Sequence, residues 1–236
     1  MQKAHANGFT SVLRLIMALT AVGCRGAMDD VKLPDGIRIT SPSKTHVHAN
    51  ISELAIPDLP ALTNIHALFT VYFDGVGATD EKLKALTQLR FTNLACVVFT
   101  DCPLVTDKGI EYVSQITSVT NLGLRGMSIS DAACVTMAAR MRLHEVYMPG
   151  CPHVTLAGLL KMAQSKTIHS LGFSLGKMKQ NDLLEIINKS DPHLTRIDIN
   201  MDGSSEGRLD LPALRAAAKE RKIKLYAIRN RHCKEL

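Results

Sequence analysis

Pairs of apolar residues two positions apart recur along the chain at Val71/Phe73, Val97/Phe99, Leu122/Leu124, Val146/Met148, Leu171/Phe173 and Ile197/Ile199. Their first members are separated by steps of 26, 25, 24, 25 and 26 residues. Side chains two apart on a strand point to the same face, so each pair reads as a short strand with one buried side. A unit of that length cannot bury its own apolar face, and neighbouring units must stack to make a core. No other property of the chain restricts its fold so tightly.

A helix start follows each of the first four strands of this series, at Thr79-Asp80, Thr106-Asp107, Ser130-Asp131 and Thr155-Leu156. Ser, Thr and Asp accept hydrogen bonds from the free N–H groups of a first helical turn. Apolar residues three apart come next, at Leu83/Leu86, Ile110/Val113, Cys134/Met137 and Leu159/Met162, and predict short helices. The unit is therefore strand, turn, cap and helix, and the expected class is α/β with a parallel sheet. Apolar residues make up 46% of the chain but aromatics only 4%, so Leu, Ile, Val, Met and Ala must fill the core.

The stretch Leu94-Ala-Cys-Val97-Val-Phe99-Thr-Asp-Cys102-Pro-Leu-Val105-Thr106-Asp107-Lys-Gly109-Ile110 resembles the cysteine-containing class of leucine-rich repeat, LxxLxLxxCxxVTDxGLxxL. The copy beginning at Leu143 is next best, with Leu156 in place of the aspartate. Units at 68 and 119 lack the cysteine and one residue of the turn; that at 168 keeps the strand and loses the cap. The resemblance implies a leucine-rich repeat solenoid over residues 65–214, with a parallel sheet on the concave side and helices on the convex side. The resemblance is specific for architecture and almost silent on function; a non-catalytic protein-binding role without a cofactor is expected from the sheet face away from the helices and from the lack of catalytic and phosphate-binding motifs. Repeats of this kind also resemble those of eukaryotic ubiquitin-ligase substrate receptors, which makes a cytosolic adaptor the alternative. No preceding helical module for docking a ligase is found.

Outside the repeats, Lys3 and Arg14 precede the apolar run Leu15–Gly23 and then Cys24. Nine such residues are too few to span a bilayer core of about 30 Å, and the pattern reads as a secretory signal over 1–23. Its ending, Ala21-Val22-Gly23-Cys24, resembles a bacterial lipoprotein signal, which implies acylation of Cys24 and a membrane-anchored protein of the periplasm or cell surface. Residues 24–45 then form a tether, 46–64 an N-terminal cap and 215–236 a C-terminal cap with a closing strand at Ile223–Ile228. Eight Lys or Arg against two Glu lie between Arg215 and Leu236, so this cap carries the whole net charge of +6. Lys219, Arg221, Lys222 and Lys224 read as the solvated side of a capping helix. Nucleic acid is not an expected partner, because only Tyr226 is available there to stack on a base.

Cys102 and Cys151 stand two units apart, about 10 Å at the usual strand spacing, too far for a disulfide. They are expected to pack as small hydrophobes, bonding weakly to backbone. Cys96 should face outward on its strand, and Cys233 lies in the tail. The register separates His153 from Glu145, which argues against a Cys151–His153 nucleophile with His144 or Glu145 behind it. His46, His48 and His66 lack the closely spaced further ligands of a metal site, and no phosphate-binding glycine motif is present. The glycosylation patterns at Asn50-Ile-Ser52 and Asn188-Lys-Ser190 are discounted as chance matches. Residues 202–207 read as an exposed loop.

Binding should fall on the sheet face away from the helices. Its middle row would be Tyr72, Val98, Gly123, Tyr147, Gly172, Asp198 and Tyr226, ringed by Arg125, Glu145, Arg196 and Asn200. Tyrosine suits interfaces because its ring packs while its hydroxyl stays wet.

Overall fold

The computed structural model describes residues 35–42, 46–65, 68–201, 209–229 and 232–236. Ten strands among these residues form one sheet in strict chain order. They are β1 (Arg38–Pro42), β2 (Val47–Asn50), β3 (Leu68–Asp74), β4 (Cys96–Thr100), β5 (Asn121–Arg125), β6 (Glu145–Met148), β7 (Ser170–Ser174), β8 (Arg196–Asn200), β9 (Lys224–Arg229) and β10 (His232–Glu235). Strands β2 to β9 run parallel, and antiparallel strands close each end. A parallel neighbour requires a crossover, and helices supply it from β3 onward: α1 (Asp80–Thr87), α2 (Asp107–Val113), α3 (Asp131–Arg140), α4 (Leu156–Ala163), α5 (Gln180–Lys189) and α6 (Leu211–Glu220). The protein is thus an α/β fold whose mostly parallel sheet alternates with helices.

The apolar pairs lie side by side in register, Val71 beside Val97 and Val97 beside Leu122. They join the inward residues of all six helices in one continuous core, which also holds Leu54, Leu59 and Leu62. Those three come from the segment before β3, where Ile56–Asn64 forms a 3-10 helix. Phe73 and Phe99 stack at 5.2 Å between ring centres within this core.

The Thr-Asp motif has a second task that the single-unit reading does not contain. Thr106 caps α2 by accepting from the Lys108 N–H at 3.1 Å, and its hydroxyl donates to Asp80 Oδ2 of the preceding unit at 2.6 Å. Asp107 receives Ser130 in the same way at 2.5 Å, and Asp131 receives Thr155 at 2.5 Å. Each aspartate also accepts the backbone N–H of the cap it holds, at 2.8–3.0 Å. Successive helix starts are therefore clasped together by a ladder of carboxylates. Gly109 leaves room for it, since a Cβ there would stand 2.4 Å from Asp80 Oδ1.

The ladder ends where Leu156 replaces aspartate. Helix α5 forms nonetheless, with Asp182 accepting the Lys179 N–H at 2.7 Å, so the lost cap shifts the source of the bond without removing the helix. Asp107→Ala is expected to lower the unfolding free energy by about 2 kcal/mol, the scale of hydrogen bonds to an ionised acceptor. Chemical denaturation measures it, and an unchanged midpoint would contradict the clasp.

Candidate functional site

Ladder pairing places Tyr72, Val98, Gly123, Tyr147, Gly172, Asp198 and Tyr226 in one unbroken row across β3 to β9. The row lies on the face opposite the helices because its members alternate with the core pairs. Two glycines accommodate their neighbours: a Cβ on Gly172 would fall 2.3 Å from Tyr147 Cδ2, and one on Gly123 would fall 3.2 Å from Val98 Cγ1. The Tyr147 ring therefore lies over Gly172.

Burial in this row departs from the expectation of wet tyrosines. Tyr72 is 2% exposed, Tyr147 6%, Val98 1% and Asp198 0%. Burial also pushes the phenols of Tyr72 and Tyr147 upward, Tyr147 to about 12. Tyr226 is half-buried, and Arg125 is the exposed member of the set.

At the β8–β9 end, Arg196 grips Asp198 through two bonds of 2.8 Å. Its guanidinium lies 3.9 Å from the Tyr226 ring centre, a cation–π contact, and reaches Cys233 Sγ at 3.7 Å. The Tyr226 hydroxyl donates to Glu235 Oε2 at 3.2 Å. Burial raises the Asp198 carboxyl against the pull of Arg196; burial lowers the guanidinium, and the bonds and charge of Asp198 with its other neighbours outweigh that and leave it raised. Nearer the centre, Glu145 is half-buried and accepts from Asn121 Nδ2 at 2.9 Å. Burial holds its carboxyl above the usual range.

Asn121 and Ser170, neither of them among the expected site residues, flank the row beside Glu145. The alternation that found the middle row also reaches residues two positions away on the same face, so that signal was present. Cys233 and Glu235 join from β10, an antiparallel strand that no repeat pattern announces.

Cys96, Cys102, Cys134 and Cys151 behave as packing groups, whereas Cys233 is exposed. Cys102 Sγ donates to the carbonyls of Phe73 and Thr100 at 3.4 Å each, and Cys151 Sγ to that of Leu124 at 2.9 Å. Burial raises the Cys102 and Cys151 thiols to about 11 and those of Cys96 and Cys134 to about 12, so none is a thiolate at neutral pH. Cys96 stands on the expected face but is only 3% exposed, beside Tyr72 and Val98.

His46 packs edge-on against Phe69, and His66 lies outside the described residues. Among the described residues no group of three His, Cys, Asp or Glu could hold a metal ion. The basic tail is not one patch: Arg221 is bonded to the Ser190 carbonyl, whereas Lys224 sits in β9 beside Arg196. Cys24 and the loop at 202–207 also lie outside the described residues, and no described helix is long and apolar enough to cross a membrane.

The chain matches no protein-family model and no curated protein.

Proposed function

We propose that the chain is a leucine-rich repeat solenoid that binds another protein on the sheet face away from its helices. The carrying observation is the seven-residue row in unbroken register across β3 to β9, flanked by Arg125, Glu145 and Arg196. Most of the row is sealed, so the groups open to a partner are the exposed Arg125 and the half-buried Glu145, Arg196 and Tyr226, an aromatic and charged set of the kind that interface centres use. The setting we propose is export with anchoring through a lipid on Cys24. The cytosolic adaptor remains the alternative setting for the same face.

A photo-crosslinking side chain at Arg125 tests the face, with Val135, 49% exposed on α3, as the control on the helix side. A partner adduct is expected from position 125 and none from 135, and the reverse result would overturn the reading. Intact-mass measurement tests the setting separately. A mature chain starting at acylated Cys24 in the membrane fraction is expected, and an unprocessed chain in cytosol would overturn the anchor alone.

A further inference from the structure

The edge of the sheet where β6 to β9 begin carries a concentration of cations that the repeat does not require. Its connectors, residues 140–144, 164–169, 189–195 and 219–224, hold eight Lys or Arg and three His against two carboxylates. The backbone joins them side by side: the His169 N–H donates to the His144 carbonyl at 2.9 Å, Thr195 to His169 at 2.9 Å and Lys224 to Thr195 at 2.8 Å. His144, His169 and His193 are exposed and stand edge-on in a row, 5.5 and 6.2 Å between ring centres.

Helix ends account for part of this charge. Arg140, Lys189 and Lys219 lie in last helical turns, where a cation complements the helix dipole. Arg142, Lys166, Lys222 and Lys224 lie beyond those turns and are exposed. Among the described residues their side chains enter no hydrogen bond or ion pair. The carboxylates nearby do not cancel them. Asp191 accepts from the N–H of His193 at 2.9 Å and lies 2.7 Å from its ring, with Lys166 acting on it as well. Glu185 is matched by Lys189 at 2.7 Å, and Glu220 stands between Lys219 and Arg221 in the chain. Lys222 follows the Arg221 cap of α6 with φ at 58°, a left-handed position where glycine is the usual residue and a lysine is strained.

The make-up of this edge decides what fits it. Protein interfaces centre on apolar or aromatic anchors and are depleted in lysine. Here the apolar residues of the connectors, Met141, Leu143, Ile168, Leu194 and Ile223, are buried in the core. No Phe, Tyr or Trp lies in these connectors to stack on a base. Long cations and imidazole N–H groups without an apolar centre suit a flat, dense array of phosphates, which demands no shape complementarity. The charge is also one-sided. On the opposite edge of the sheet, the turns at 74–81, 100–107 and 125–131 hold six carboxylates against Arg125 alone. An anionic surface therefore attracts one edge and repels the other.

We propose that the β6–β9 edge docks on an anionic membrane surface, with Arg142, Lys166, Lys222 and Lys224 contacting lipid phosphates. The contact uses a different part of the molecule from the row across β3 to β9, and it needs no lipid on Cys24. It sets the strands end-on to the membrane and leaves the sheet face free at the side.

Cosedimentation of the full chain with phosphatidylglycerol–phosphatidylcholine vesicles tests it, against pure phosphatidylcholine and across salt. Binding to the anionic vesicles that weakens steeply with salt is expected. The variant Arg142→Glu with Lys166→Glu and Lys222→Glu should lose at least tenfold in affinity, each cation counting for about fivefold. The control Lys84→Glu with Lys177→Glu and Arg215→Glu changes net charge equally on exposed residues elsewhere and should lose far less. Residues 1–34 are the same in every chain, so any affinity of the apolar run Leu15–Gly23 for lipid cancels. Lys222→Gly is expected to raise the unfolding midpoint while weakening vesicle binding severalfold, a combination that a purely structural lysine does not give. Equal losses in the two triple variants, equal binding to neutral vesicles, or insensitivity to salt would each overturn the membrane edge. Tighter capture of a DNA duplex or of poly-glutamate than of anionic vesicles at the same salt would reassign the edge to nucleic acid or acidic protein, and overturn it too. Loss of vesicle binding leaves the Arg125 crosslink untouched, and loss of the crosslink leaves vesicle binding, so the two readings fall separately.

Discussion

Lys82→Met is expected to lower the unfolding free energy by about 4 kcal/mol, the scale of stranding a buried set of charge-assisted bonds. Lys82 is 5% exposed on α1, and its ammonium donates to the carbonyls of Ile51 at 3.0 Å, Ser52 at 2.9 Å and Gly77 at 2.8 Å. Those carbonyls belong to the segment after β2 and to the turn after β3, so one side chain ties the N-terminal end of the sheet to its first helix. Methionine matches the length and leaves three carbonyls short of a donor.

The pH dependence has a definite sign. Burial lowers the Lys82 pKa below 10.5, so between the lowered folded value and 10.5 the unfolded chain binds more protons. Stability contributed by this group therefore rises with pH across that window, and the rise should vanish in Lys82→Met. Denaturant titrations at pH 7 and in the alkaline window measure both effects. A loss under about 1 kcal/mol would show that water replaces the ammonium freely.

Arg196→Leu is the second large expected effect, again about 4 kcal/mol at neutral pH, because it strands Asp198 at 0% exposure with its charge unanswered. Burial already raises the Asp198 carboxyl above 3.8, and removal of the guanidinium raises it further. Between 3.8 and that raised value the folded chain binds the extra proton, so stability falls as pH rises through the window. The deficit of Arg196→Leu relative to the parent chain should accordingly be small near pH 3 and full above the folded pKa. The double variant Arg196→Leu with Asp198→Leu should recover most of the loss, since a buried pair replaced as a unit leaves no orphan charge. A double variant as unstable as the single one would mean that packing of the Arg196 stem on Tyr226 carries the effect. Thermal unfolding of the three chains across pH separates these outcomes.

These two residues show how much was legible in the sequence. Asp198 was placed in the middle row by counting in twos, and the ladder puts it there. Its burial, and the grip of Arg196 two residues earlier, could not be read in the same way, since exposure depends on what neighbouring strands set beside a residue. Lys82 gave no signal at all: a lysine in a helix reads as a solvent-facing charge until the chain thirty residues earlier closes over it. The Thr-Asp pairs were read correctly as helix caps. Their clasp onto the preceding unit is a contact between residues 23 to 26 positions apart, and local spacing does not contain it. Asn121 and Ser170 follow from the same count in twos, but small neutral side chains carry no signal of their own, and the unpartnered Ser170 hydroxyl depends on what the neighbouring strands set beside it.

The period of the apolar pairs, the alternation of strand and helix, and the register of the central row can be read from the chain alone. All three follow from the period-two and helical spacing of apolar side chains, which each unit carries within itself. Which row members are sealed, which charges are paired, and that the Ser170 hydroxyl beside Glu145 is left without a partner emerge with the assembled sheet. Those properties belong to contacts between units, where desolvation and hydrogen bonding depend on residues some 25 positions away in the chain.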